Sequence, residues 1–266
     1  MSIQKTALAL TLTLAGLTTS YAALAAQPIV GSWYAALPDA YVVTTFLENG
    51  TYFYAEDVAG DSVHTGVEWG TYSWDAVSGQ VTAASLGDTN GDWGVSGDVD
   101  GPLYINVSGN TATVTQPGCP NCTVAAGRVL HPAGSIVGTW LVPDTDPDPG
   151  MITFFADGSY IVGEGGVADI YGQPGVERGT YSWDSVTGKL MATSVITDTN
   201  GMWGISHPNG GFFTATLTNA TLTFMEQGND PFVLVAGPVP EPETYAMLLA
   251  GLGLVGWAVR RQQTKA

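Results

Sequence analysis

The sequence predicts an all-β protein. Two tandem homologous antiparallel β modules, each a small up-and-down barrel or a sandwich, lie between an N-terminal signal helix and a C-terminal transmembrane helix. Three observations carry this. A stretch of about 105 residues is written twice. Both copies consist of short runs rich in Thr, Val, Tyr and Trp, split by Gly-containing turns. Each end of the chain carries an apolar segment close to basic residues.

The first element is residues 1–26. Lys5 precedes an apolar run from Ala7 to Leu17, and small residues follow at Ala22-Ala23-Leu24-Ala25-Ala26. That order is the order of a secretory signal peptide, with cleavage expected after Ala26. The Sec translocon and signal peptidase are the expected partners of this end.

Module 1 spans 27–132 and module 2 spans 133–238, with the seam near Pro132 to Ser135. Ile29-Val30-Gly31-Ser32-Trp33 returns as Ile136-Val137-Gly138-Thr139-Trp140. Thr45 to Tyr52 returns as Thr153 to Tyr160, and Gly70 to Asp75 returns as Gly179 to Asp184. Asp88-Thr89-Asn90-Gly91 returns as Asp198-Thr199-Asn200-Gly201, each followed one residue later by Trp-Gly. The offset drifts only from 107 to 110. Asn49-Gly50 and Asp157-Gly158 are hairpin signals, because these residues tolerate positive φ. About eight short strands per copy result, with no long segment of helical period. In Glu68 to Asp75, Tyr72 and Trp74 share a face with Gly70 and Glu68, while Thr71, Ser73 and Asp75 take the other. Glu177, Gly179, Tyr181 and Trp183 repeat the pattern. Each copy is large enough to fold alone.

Charge narrows the function. From Gln27 to Pro240, three basic residues against 22 acidic ones leave a net charge of −19. Such a body repels phosphate backbones, so no nucleic-acid partner is expected. It attracts divalent cations. Asp88, Asn90 and Asp92 place oxygens at positions 1, 3 and 5 of a calcium-type loop. Position 6 is Trp93 instead of Gly, position 12 is Val99, and Met202 replaces the third ligand in the second copy. The alternative is an Asx-type turn before a packing Trp. No other cofactor is expected.

Cys119-Pro120-Asn121-Cys122 lies between the β runs Thr111–Gln116 and Thr123–Val129. In an exported protein it reads as a disulfide clip on a hairpin end. His64, His131 and His207 do not recur between copies, and no G-x-S-x-G or H-E-x-x-H is present. No catalytic residues are assigned and no enzyme is expected. Glu68 and Glu177 do recur beside aromatic residues. They read as carboxylates that hydrogen-bond turn amides at a barrel mouth. They read alternatively as polar anchors of a ligand pocket formed by Trp33, Glu68, Tyr72 and Trp74, and by Trp140, Glu177, Tyr181 and Trp183. The opening Gly-x-Trp of each copy is similar to the first strand of lipocalin-like and avidin-like barrels. That likeness implies small-ligand or carbohydrate binding.

The last element is residues 239–266, with an apolar run over 245–259. This run is short for a membrane span, which needs about 20 apolar residues. Gly251-Leu252-Gly253-Leu254-Val255-Gly256 within it matches G-x-G-x-x-G but lacks the strand–helix context of a dinucleotide site. Pro240-Glu241-Pro242, the Gly/Leu-rich span and Arg260-Arg261 together resemble the PEP-CTERM sorting signal. The resemblance implies a Gram-negative bacterium and recognition by an exosortase. It implies transient residence in the inner membrane, then delivery to the cell surface or an exopolysaccharide matrix.

Overall fold

The computed structural model describes residues 27–238, apart from 98–100, 145–146 and 219. Sixteen strands and no helix make up the described residues. The first copy contains β1 (Gly31–Ala36), β2 (Ala40–Phe46), β3 (Thr51–Val58), β4 (Gly66–Trp74), β5 (Val81–Asp88), β6 (Tyr104–Ser108), β7 (Thr111–Gln116) and β8 (Cys119–Arg128). The second contains β9 (Gly138–Leu141), β10 (Gly150–Phe154), β11 (Ser159–Glu164), β12 (Gly175–Trp183), β13 (Lys189–Asp198), β14 (Phe213–Leu217), β15 (Thr221–Met225) and β16 (Phe232–Ala236).

Each copy is an antiparallel meander whose last strand returns to its first. The second copy closes as a barrel. The first is an eight-stranded sheet running from β5 through β1 to β6. Its two edges meet at one bridge, Gln80 to Tyr104, flanked by amide bonds from Val81 to Leu103 and from Ile105 to Gly79. The hairpins β2–β3 and β10–β11 turn at Gly50 and Gly158, with φ of 82° and 86°. Asn49 and Asp157 each accept the amide two residues on, which fixes the register of these hairpins.

Each barrel has its own core. Trp33, Phe46, Tyr52 and Ile105 fill the first. Trp140, Phe154, Tyr160 and Leu222 fill the second. Trp33 and Trp140 form matching floors, each donating its indole N–H to a carbonyl four residues back, at Ile29 and Ile136 (2.7 Å). Arg128 lies over Trp33 at 4.0 Å, and His131 meets Trp140 edge-on at 5.2 Å.

A third core joins the copies. Val43, Phe53, Ala55 and Val67 of the first pack on Met151, Ile161 and Val176 of the second. β3 and β11 are thus buried on both faces, and their middle parts, Tyr52 to Ala55 and Tyr160 to Gly163, carry no charged residue. Corresponding strands of the two copies face each other, β3 and β4 against β11 and β12. The cation of this interface is Arg178. It lies 3.9 Å over the Tyr41 ring and bonds the carboxylate of Asp57, which is 2% exposed. A copy folding alone would expose this apolar face, so the pair forms one body.

Candidate functional site

The site is built at the end of each barrel opposite the Trp floor. There the chain leaves β5 or β13 through the repeated Asp-Thr-Asn-Gly segment and folds back over the mouth. Glu68 and Glu177, both fully buried, hold this returning loop. Glu177 Oε1 accepts the Tyr160 hydroxyl at 2.7 Å and the Ile205 amide at 3.0 Å. Its Oε2 accepts the Ser206 amide at 3.3 Å and the Ser206 hydroxyl. Glu68 does the same with the Tyr52 hydroxyl and the amides of Val95 (2.7 Å) and Ser96 (3.0 Å). Gly94 and Gly204 let the loop pass. Their φ values are 121° and 97°, and a Cβ on Gly204 would lie 2.8 Å from Glu177 Cδ. Both oxygens of each carboxylate are committed to the loop, so these glutamates act as anchors.

A second carboxylate stands inside each mouth, and the sequence reading missed it. Glu56 on β3 and Glu164 on β11 occupy matching places. Burial lifts each from its ordinary value to about 7. Asn90 and Asn200, both fully buried, stand beside them. Asn200 Nδ2 approaches Glu164 Oε2 at 3.4 Å, and Asn90 Nδ2 donates to the Trp93 carbonyl at 2.9 Å. The signal was available. The repeat match of Thr51-Tyr52 with Ser159-Tyr160 reaches Glu56 and Glu164 when extended by four residues.

The second barrel holds a cavity of about 520 Å³ at this end. Ile152, Val162, Ile205, Phe224 and Leu234 wall it, and Glu164 is part of the wall. This size falls within the usual range for small-ligand pockets, about 300–1,000 Å³. The aromatic residues singled out from the sequence do not line it. Trp140 belongs to the floor, and the Tyr181 hydroxyl donates to the Phe155 carbonyl at 3.1 Å. In the first copy, the Tyr72 hydroxyl donates to Leu47 O and the Trp74 indole to Ile105 O, each at 2.9 Å. Trp183 and Tyr181 pack against the core of the second barrel. All of these sit toward the floor because Gly70–Trp74 and Gly179–Trp183 are the far halves of β4 and β12.

In the calcium-type loop one oxygen of Asp88 closes the turn, and the buried Asn90 Oδ1 accepts no hydrogen bond among the described residues. Asp88 Oδ1 accepts the amides of Asn90 (2.8 Å) and Gly91 (3.1 Å), closing an Asx turn. Asn90 is buried and Asp92 is exposed. In the second copy Glu177, Asp198 and His207 offer ligand atoms within 4.8 Å of one another. Glu177 spends its lone pairs on the loop, as described above. Cys119 and Cys122 are joined by a disulfide, with Cα atoms 5.2 Å apart. β8 begins at Cys119 itself, four residues before the run read from the sequence, because Gln116 pairs with Cys119 across the turn. The signal segment, Pro240, Glu241, Pro242, Arg260, Arg261 and the apolar run 245–259 lie outside the described residues. Among the described residues no helix is long and apolar enough to cross a membrane.

The two ends of the described body meet beside the floor of the first barrel. Arg128 donates to the carbonyls of Pro28 and Val30, each at 2.7 Å. The Pro238 carbonyl lies 3.4 Å from the Cβ position of Gly31.

Three comparisons with known proteins bear on identity. No curated protein matches the chain. Among solved structures, the chain is similar at 7% identity to the DNA polymerase sliding clamp of Caulobacter crescentus, covering 80% of this chain and 60% of that one, with a TM-score of 0.14. It is similar at 7% identity to the DNA polymerase III beta subunit of Thermotoga maritima, covering 82% and 60%, with a TM-score of 0.13. At such scores the likenesses carry no argument about this chain. The chain spans about 60% of the length of those structures. These comparisons do not confirm the likeness to lipocalins. The third comparison concerns the tail, where Pro-Glu-Pro, the apolar run and the paired arginines stand in order: residues 238–262 match the PEP-CTERM protein-sorting motif, and the chain carries the signal of an exosortase-sorted, exported protein.

Proposed function

We propose that the chain is a non-enzymatic binding protein, carried to the cell surface or an exopolysaccharide matrix by its sorting tail, and that its second barrel holds one small ligand. The cavity walled by Ile152, Val162, Phe224 and Leu234, with the carboxyls of Glu164, Asp148, Asp169, Glu226 and Asp230 also on its lining, carries this proposal. The hydrogen bonds of Glu68 and Glu177 to loop amides support an anchoring role for these two residues. The precursor crosses the inner membrane of a Gram-negative cell by way of the Sec translocon, signal peptidase and then exosortase.

Native mass spectrometry of the protein taken from its producing cells tests the binding role. The expected result is one non-covalent small-molecule adduct per chain, released on denaturation. A bare chain, both as isolated and after incubation with an organic extract of the producer's surface material, would refute it.

A further inference from the structure

The two copies differ at one inward position beside the second carboxylate. The first copy reads Tyr52-Phe53-Tyr54-Ala55-Glu56, and the second reads Tyr160-Ile161-Val162-Gly163-Glu164. Tyr52 and Tyr160 agree, and so do Glu56 and Glu164. Tyr54 is replaced by Val162. Tyr54 lies in the core of the first barrel and donates its hydroxyl to Glu56 Oε2 at 2.7 Å. In the second barrel Val162 and Glu164 both face the cavity, and valine supplies neither a ring nor a hydroxyl. The same backbone frame is thus filled from within in one copy and left open in the other.

We infer that the second barrel binds a ring-bearing molecule with a hydroxyl, a phenol in the simplest case, whose ring lies over Val162 and whose hydroxyl donates to Glu164 as that of Tyr54 does to Glu56. The inference rests on the proposal that the cavity is a ligand site. The apolar walls formed by Ile152, Phe224 and Leu234 suit a ring, and Phe224 offers an aromatic neighbour. Phosphate or sulfate esters do not suit the site, because Asp148, Asp169, Glu226 and Asp230 line it together with Glu164 and meet an anion with like charge.

The test compares 4-ethylphenol with ethylbenzene by isothermal titration of the full chain in lipid nanodiscs, with empty nanodiscs subtracted. A hydrogen bond to a buried carboxyl makes the phenol bind about tenfold more tightly or better. Glu164→Leu should abolish that preference while still admitting ethylbenzene. Val162→Tyr should insert the missing side chain and weaken phenol binding by about tenfold or more, with an unchanged or raised Tm showing that it folds. Equal binding of the two probes by the natural chain would overturn the hydroxyl inference and leave the cavity standing as an apolar site. So would a preference that survives Glu164→Leu, or phenol binding unaffected in folded Val162→Tyr. Failure of both probes to bind would overturn the ligand site itself.

Discussion

Stability of this protein should be greatest in mild acid and should fall toward neutrality. Burial holds the carboxyls of Glu56 and Glu164 at about 7, against 4.5 for the exposed group. Between those values the folded chain keeps two protons that the unfolded chain has released. Their stabilising effect is complete below about pH 4.5 and is lost as pH rises through about 7. At 1.36 kcal/mol per pH unit, each glutamate accounts for about 3 kcal/mol, and the two together for roughly 6 kcal/mol. The surroundings of each carboxyl do not reverse this. Tyr54 and Asn90 hydrogen-bond Glu56, and Asn200 bonds Glu164, yet both remain raised. On the acid side four aspartates act in the opposite sense. The His64 ring lowers Asp61, the Val77 amide lowers Asp75, and the hydroxyls of Ser159 and Thr187 lower Asp157 and Asp184. Their contribution is present above about pH 4 and is lost as pH falls below it. Thermal melts from pH 4 to 8 read the balance. The expected Tm peaks near pH 4–5 and falls by about 10–20 °C by pH 8. The double variant Glu56→Gln, Glu164→Gln should flatten most of that slope. Stability that is constant or rising from pH 5 to 8, or an unchanged slope in the double variant, would refute the reasoning.

Three further outcomes follow from the same structure. Arg178→Ala leaves Asp57 buried without its cation at the inter-barrel core, and urea denaturation should show a loss of about 3–5 kcal/mol. The pair Asp57→Asn, Arg178→Met should recover most of it. Gly204→Ala forces a side chain to a φ of 97° against Glu177, and should cost on the order of 2–3 kcal/mol with faster amide exchange at Ile205 and Ser206. Asp88→Ala opens an Asx turn and should cost about 1 kcal/mol, while calorimetric titration with calcium should give no heat in either protein. Calcium heat that vanishes in the variant would support the metal reading of Asp88, Asn90 and Asp92.

Much of the fold was legible because the chain states it twice. The Gly-x-Trp openings, the Asn-Gly and Asp-Gly turns and the alternation around Tyr72 and Trp74 each define a strand or hairpin without knowledge of its neighbours. The third core was less legible. Tyr52 to Val58 is buried along nearly its whole length because Phe53 and Ala55 face the other barrel, and a single copy gives no hint of that partner. The candidate site was legible in part. Glu68 and Glu177 stood out by recurrence, but their role depends on loop amides some 28 residues away in the chain. The cavity was hidden for a different reason. It arises from a difference between copies, Tyr54 against Val162, whereas a repeat search rewards agreement. The aromatic residues that did agree are the ones that fill the floors.

The account makes the tail the determinant of where the double barrel acts, so intact mass and location of the protein in its own cells test it most directly. With Pro240-Glu241-Pro242 present, the expected product lacks residues 1–26, has a new C-terminus near the motif and is recovered from the cell surface or matrix. With all three replaced by alanine, the chain should keep its tail and remain in the inner membrane. Identical mass and location for the two proteins would contradict the account.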